Sequence, residues 1–232
     1  MTRARVGWVV DAQVDFLDPA GRLYVKDLGD PSDVGSVQIL PKLERAVAWM
    51  RANCDALVFT GDWHGLEDAE IDPERPDPAQ GTYPPHCMGR STDPGERDGA
   101  AITPSIRPLA PLVLSHTASE VEASHLAARA VHEKRPVFIH KTRFDVFVGN
   151  PSTEVFLDGL SAELGRPLEF VVIGVARDVC VTQAVDGMQA RGYPVTALSD
   201  ATWGLGLEAE ATTLARWAAH GTVTTLDALL AG

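Results

Sequence analysis

Four apolar runs in this chain each end on a group able to do chemistry. Val9-Val10-Asp11 closes the first on a carboxylate, Thr60-Gly61-Asp62-Trp63-His64 the second on a carboxylate and an imidazole, Ile139-His140-Lys141 the third on an amine, and the fourth passes through Gly174-Val175-Ala176 to Cys180. In an open parallel sheet ligands bind at the carboxyl ends of the strands, so these groups are expected to converge on one edge. A thiol beside an amine and a carboxylate is an activated nucleophile: the cation lowers the thiol pKa and the carboxylate can take its proton. Cys180 follows a glycine-containing turn and opens a helical pattern of Val181, Ala184, Val185 and Met188. It is therefore expected at a helix N-terminus, where unpaired N–H groups favour a thiolate. A lone cysteine is more often plain core, but a strand end is where a reactive one belongs. Asp11 would be costly to desolvate alone, and Lys141 is its natural cation.

A second set of donors is suited to a metal. Asp62 and His64, joined by His86 of Tyr83-Pro84-Pro85-His86-Cys87, offer carboxylate and imidazole ligands of the kind that hold zinc, iron or manganese. The Asp-x-His pair is a weak signal by spacing alone, and its plain alternative is an imidazole that caps a loop.

Elements must position these groups. Short runs rich in Val, Ile and Phe, at Arg5–Val10, Ala56–Thr60, Pro136–His140, Glu169–Gly174 and Pro194–Leu198, alternate with helical patterns. That alternation predicts βαβ units: an α/β fold of three layers, α/β/α, with a mostly parallel, doubly wound sheet. Leu40, Leu43, Val47 and Met50 mark one core-facing helix and Val181 to Met188 another. The stretches Glu120–Glu133 and Glu208–Ala219 are Ala-rich and helix-prone. Glu67–Pro104 is crowded with Pro, Gly, Asp and Arg, which predicts a long irregular loop at about 65–105, and Asp18–Asp33 reads as a smaller excursion. There is no internal repeat.

A chain of 232 residues with 45% hydrophobic content can bury the core of one α/β domain, expected to span 1–232. A formal net charge of −12 argues against a phosphate-binding surface and so against nucleic acid, leaving a small molecule as the expected partner. Cys54, Cys87 and Cys180 are far apart and odd in number, so no disulfide framework is expected. The first apolar stretch begins only at Val6 and meets Asp11 at once, too short for a signal sequence or membrane span, and the expected location is the cytoplasm.

The segments Val10-Asp11-Ala12-Gln13-Val14-Asp15-Phe16, Gly61-Asp62-Trp63-His64, Tyr83-Pro84-Pro85-His86-Cys87, Lys141-Thr142-Arg143-Phe144 and Gly174-Val175-Ala176-Arg177-Asp178-Val179-Cys180-Val181 resemble, in that order, the signature blocks of nicotinamidases within the isochorismatase-like hydrolases. The resemblance runs from about residue 5 to Asp200. It implies a catalytic triad carried by Asp11, Lys141 and Cys180, a cis peptide before Ala176, and an oxyanion hole made by the backbone amides of Ala176 and Cys180. It also implies metal ligands at Asp62, His64 and His86, and one divalent ion, zinc with iron or manganese as alternatives. Where many nicotinamidases have a further His ligand this chain offers Glu70, with Glu67 and Asp68 as alternatives in a loosely aligned loop. Tyr83 stands where they have Trp. Phe16 and Tyr83 are implied as pocket walls, with Phe144 and Phe147 as weaker candidates, ordinary core packing being the plainer reading of Phe147.

The activity this implies is hydrolysis of an amide C–N bond through a thioester, with nicotinamide going to nicotinic acid and ammonia. Arg143 encourages a rival, a cysteine hydrolase of the same fold that acts on a carbamoyl or ureido compound. An isochorismatase proper would need neither Cys180 nor the metal ligands, and a non-catalytic small-molecule binding protein is the alternative from another class. Assembly into a homo-oligomer is compatible with the family.

Overall fold

The computed structural model describes residues 2–231. Its frame is a seven-stranded sheet: β1 (Ala4–Val10), β2 (Ala56–Asp62), β3 (Leu112–Leu114), β4 (Val137–Lys141), β5 (Leu168–Val175), β6 (Val195–Trp203) and β7 (Thr222–Thr224). The strands lie in the order β3-β4-β2-β1-β5-β6-β7, and every pairing is parallel, so the sheet is more uniform than the mostly parallel one expected.

Both faces are covered, and the strands alternate accordingly. On β1, Val6, Trp8 and Val10 face one core and Val9 the other; on β5, Phe170 and Val172 oppose Val171 and Ile173. The first face is covered by α2 (Glu120–His132), α3 (Thr153–Leu164), α4 (Thr182–Ala190) and α5 (Glu210–His220), the second by α1 (Leu40–Asn53) and α6 (Leu226–Ala231). Each of the longer helices buries an apolar stripe, such as Leu43, Ala46, Val47 and Met50 on α1, or Ala184, Val185 and Met188 on α4. α2 opens with a capping box, Ser119 and Glu122 satisfying each other's backbone N–H.

The five runs and four helical patterns read from sequence are all present. The edge strands β3 and β7 and the helices α3 and α6 are additions. The two edge strands have three residues each, too few for alternation to show. The long loop is irregular as expected, broken by brief helical turns at Pro78–Gln80, Pro94–Arg97 and Asp98–Ala100 and by isolated bridges of Ile71 with Tyr83 and of Ile102 with Gln13, and it packs Ala100 and Ile102 into the second core.

Chain order sets where the site lies. β2, β4 and β3 lie in that order on one side of β1, and β5 returns to its other side, so the connectivity reverses between β1 and β5. Such a switch point opens a crevice at the carboxyl ends of the strands. Gly174 permits the close approach there: its φ is +130°, and a Cβ would lie 2.0 Å from the Val10 carbonyl oxygen.

Candidate active site

Lys141, Asp62, Asp11 and the turn holding Cys180 issue from β4, β2, β1 and β5, four adjacent strands, and so stand side by side along one edge. Strand register puts Asp62 directly opposite Lys141, and the two side chains form a buried ion pair. The ammonium of Lys141 also lies 2.9 Å from Asp11 Oδ2 and 3.6 Å from Cys180 Sγ. Asp11 is fully buried with φ +47°, in the left-handed region that Asp tolerates better than most residues. Thr60 Oγ1 donates to its Oδ1 at 2.7 Å. Its Oδ2 meets Lys141 as an ion pair without an aligned hydrogen bond. Asp11, Asp62 and Cys180 each present an atom within 4.8 Å of the others.

The electrostatics correct one expectation. Cys180 is the fourth residue of a wide helical turn, Arg177–Val181, that precedes α4, and it is buried. Burial pushes its thiol well above the ordinary value; Lys141 opposes this, and the carboxylates of Asp11 and Asp62 add to it. Burial thus works against the thiolate expected at a helix N-terminus, which makes a neighbouring base to take the thiol proton the more important. Asp11 can serve as that base, because burial raises its pKa and Asp62 adds, while Lys141 and Thr60 hold it back. Burial acts against the charge on Lys141, yet the two carboxylates keep it well above the usual lysine range.

The Val175–Ala176 peptide is cis, as the resemblance implies. The Ala176 carbonyl accepts from Val179 and Val181 N–H at 3.1 and 3.0 Å, closing the turn that brings Ala176 and Cys180 to the same pocket.

Asp62, His64 and His86 present their donor atoms within 4.8 Å of one another. Both Nε2 atoms face Asp62 Oδ2, at 3.7 Å from His64 and 3.8 Å from His86. The opposite ring nitrogens are held from behind: His64 Nδ1 by Asp68 Oδ2 at 2.9 Å and His86 Nδ1, donating, by the Pro84 carbonyl at 2.7 Å. Metal-ligating imidazoles are commonly fixed in this way. His64 Nε2 and Glu70 Oε2 are buried without a hydrogen-bond partner among the described residues, and a divalent ion would satisfy both. Burial disfavours the His64 imidazolium, but the neighbouring carboxylates of Asp62 and Asp68 carry its pKa up to about 9. Burial likewise lifts Glu70 to about 7, with Asp62 adding. Burial opposes the charge on Asp62 as well, but Lys141 and both histidines hold it well below the usual carboxylate range. The residues present thus fit a cation.

Among the candidates for a further ligand, Glu70 is placed where one is needed, with Oε2 4.0 Å from His64 Nε2. Asp68 supports His64 from behind, and the Glu67 side chain is 73% exposed, paired with Arg90.

A narrow pocket opens onto Cys180, Ala176, Asp62 and His86, and its remaining lining is apolar: Phe16, Leu23, Val25, Tyr83, Phe144, Val179 and Leu205. Phe16, Tyr83 and Phe144 are thus among the residues that line it. Phe147 belongs to the core, under the Arg191 guanidinium, and Arg143 is not among the lining residues. Leu23, Val25, Val179 and Leu205 escape a reading from sequence, because the loops and turn carrying them have no periodicity that fixes where a side chain points. Gln13 is a further residue that sequence reasoning misses. It is fully buried, accepts from Asp62 N–H at 2.8 Å, and donates to the Asp62 and Ala100 carbonyls at 2.9 and 2.8 Å, clamping the strand end that carries Asp62. Its signal is an amide between the apolar residues Ala12 and Val14, directly after a strand end.

Comparison with known proteins agrees with this architecture. Residues 117–228 match the family model described as Isochorismatase domain. An isochorismatase-like hydrolase from Alkaliphilus metalliredigens superposes with a TM-score of 0.67 at 20% identity, covering 98% of this chain and 97% of that one. The pyrazinamidase of Pyrococcus horikoshii in complex with zinc gives 0.64 at 20% identity, covering 96% and 99%. PnC1 from L. infantum in complex with nicotinate gives 0.64 at 21% identity, covering 97% and 94%. A search of curated protein sequences returned no match. The protein has the isochorismatase-like α/β fold, and its stretch 117–228 is similar to the isochorismatase domain.

Proposed function

We propose that this protein is a metal-assisted cysteine amidohydrolase, and that its substrate is an uncharged aromatic carboxamide, nicotinamide first among them. The observation that carries the reading is the contact of buried Lys141 Nζ with both Asp11, at 2.9 Å, and Cys180, at 3.6 Å, the last of which lines a largely apolar pocket.

In the reaction Asp11 takes the Cys180 proton as sulfur attacks the carboxamide carbon, and Lys141 stabilises the negative charge that develops on the pair. The oxyanion is held by the Ala176 and Cys180 amides, a kind of contact worth about 2.7–4 kcal/mol per donor. Collapse breaks the C–N bond, Asp11 returns its proton to nitrogen, and ammonia leaves a thioester. Asp11 then takes a proton from water, which attacks the thioester, and the departing sulfur recovers that proton as the acid is released. Asp62, His64, His86 and Glu70 would hold the divalent ion, zinc by the chemistry of the set, and the ion supplies a Lewis-acidic point for a heteroaromatic nitrogen. Phe16, Tyr83 and Phe144 flank the ring.

Ammonia release measured over nicotinamide, pyrazinamide, benzamide, a carbamoyl amino acid and a ureido acid tests this reading. Nicotinamide is expected to exceed benzamide in kcat/KM by about tenfold or more, since benzamide lacks the ring nitrogen; one polar contact of about 1.4 kcal/mol gives that ratio. A clear preference for the carbamoyl compound would overturn the aromatic assignment while leaving Asp11, Lys141 and Cys180 in place.

Protein loaded with zinc is expected to hold about one ion per chain, as the geometry of a single mononuclear site requires. His64→Ala with His86→Ala should empty the site, and affinity should fall with falling pH because neutral imidazoles are needed. Elemental analysis and chelator competition check this; an unchanged stoichiometry in the double variant would refute the ligand assignment.

A further inference from the structure

Glu70 reaches the site from the long loop with two oxygens in different surroundings. Oε1 accepts the backbone N–H of Phe144 at 2.9 Å. Oε2 is buried, has no hydrogen-bond partner among the described residues and lies 4.0 Å from the equally unpartnered His64 Nε2. The backbone of the same residue is also engaged, since its carbonyl accepts Tyr83 N–H at 2.9 Å. Tyr83 and Phe144 are both pocket walls, meeting edge to face with ring centroids 5.9 Å apart. One residue therefore touches the candidate cation site and both aromatic walls.

We propose that Glu70 is a positioning residue that couples the two: Oε2 completes the cation site while Oε1 pins Phe144, so that a bound divalent cation fixes the aromatic walls. The inference rests on the reading of Asp62, His64 and His86 as a cation site. A carboxylate oxygen drawn to a cation cannot swing away, and because the carboxylate is planar and rigid, its other oxygen is held toward the Phe144 amide. Without a cation the one hydrogen bond that anchors the Glu70 head group among the described residues is that single N–H, and the segment from Lys141 to Asp145 that leaves β4 opens more readily. The expected kinetic sign is in KM for ring-bearing substrates, because the walls hold the ring, while Lys141 and Cys180 are not displaced.

Two substitutions separate the roles. Glu70→Gln keeps an oxygen for the Phe144 N–H but removes the negative charge facing the cation. Glu70→His keeps a donor for the cation but gives up the carboxylate oxygen that reaches Phe144. Hydrogen–deuterium exchange at the Phe144 amide, with and without zinc, and zinc affinity by competition with a chromophoric chelator, read the two separately. In the wild-type protein zinc should slow Phe144 exchange by about tenfold. Glu70→Gln should bind zinc about 10–100-fold more weakly with Phe144 protection in metal-free protein retained. Glu70→His saturated with zinc should show no zinc-dependent slowing at Phe144. The proposal is overturned if zinc leaves Phe144 exchange unchanged in the wild-type protein, or if zinc slows it equally in Glu70→His. Either result leaves the amidohydrolase reading intact, since that rests on the Lys141, Asp11 and Cys180 contacts and is tested separately by Cys180-dependent ammonia release.

Discussion

Cys180→Ala is expected to lower kcat for carboxamide hydrolysis by about 10⁴-fold or more, the order lost when one member of a nucleophile–base unit is removed. No other thiol can substitute. Cys54 is half-buried, with burial pushing its pKa up to about 12. Cys87 is fully buried with its sulfur against the Gly99 carbonyl. Cys54→Ala and Cys87→Ala should therefore keep most of the activity. Since the Cys180 side chain is small and borders the pocket, its truncation leaves the surrounding core largely in place and the variant should remain folded, which circular dichroism and a urea transition would check. Turnover at the wild-type rate in Cys180→Ala would end the thioester mechanism. The accompanying signature is pH-dependent alkylation by iodoacetamide at Cys180, which a merely structural thiol in a small-molecule binding protein would not show.

Lys141→Met should cost about 3–5 kcal/mol of stability at neutral pH, the usual penalty for removing one partner of a buried ion pair. The structure makes the cost steep, because this ammonium lies between two buried carboxylates, Asp11 and Asp62. The sign with pH is opposite to that of ordinary acid denaturation. Burial already raises the Asp11 pKa with Lys141 present, and without the cation it rises further. A carboxyl whose folded pKa exceeds its unfolded value binds its proton more tightly in the folded state, so stability is gained as pH falls through the folded value toward the unfolded one. The gap between variant and wild type should therefore narrow as pH is lowered from neutrality toward the ordinary carboxylate range. Urea midpoints across that range decide it, and a loss below about 1 kcal/mol at neutral pH would show that Lys141 does not compensate the two acids. Activity should vanish together with stability.

The chemistry of this molecule is more legible in its sequence than its pocket. Asp11, Asp62, Lys141 and Cys180 stand out because each ends or follows an apolar run, and parallel strands deliver run ends to one edge regardless of the loops between them. His86 is a weak ligand candidate by spacing, since the long loop has no period linking it to His64, and the family resemblance is what strengthens it. Glu70 is one of three acids in a short stretch of loop, and only the fold shows Glu67 facing solvent and Asp68 behind the ring. The protonation of Cys180 is hidden for a similar reason: sequence supplies the helix start and the neighbouring lysine, while the depth of burial and the second carboxylate belong to tertiary structure.

The placement of β1 has a consequence for when the site can exist. It is the first strand made, yet it sits in the interior of the sheet between β2 and β5, whose residues lie far along the chain. During synthesis the edge of β1 that β5 will cover stays open until Leu168–Val175 has emerged, and Asp11 waits there without its thiol. The acids and metal donors belong to the early part of the chain, the amine and sulfur to the later part. In a growing chain Asp11 and Cys180 are therefore far apart, and their meeting requires the docking of β5 and the turn behind it.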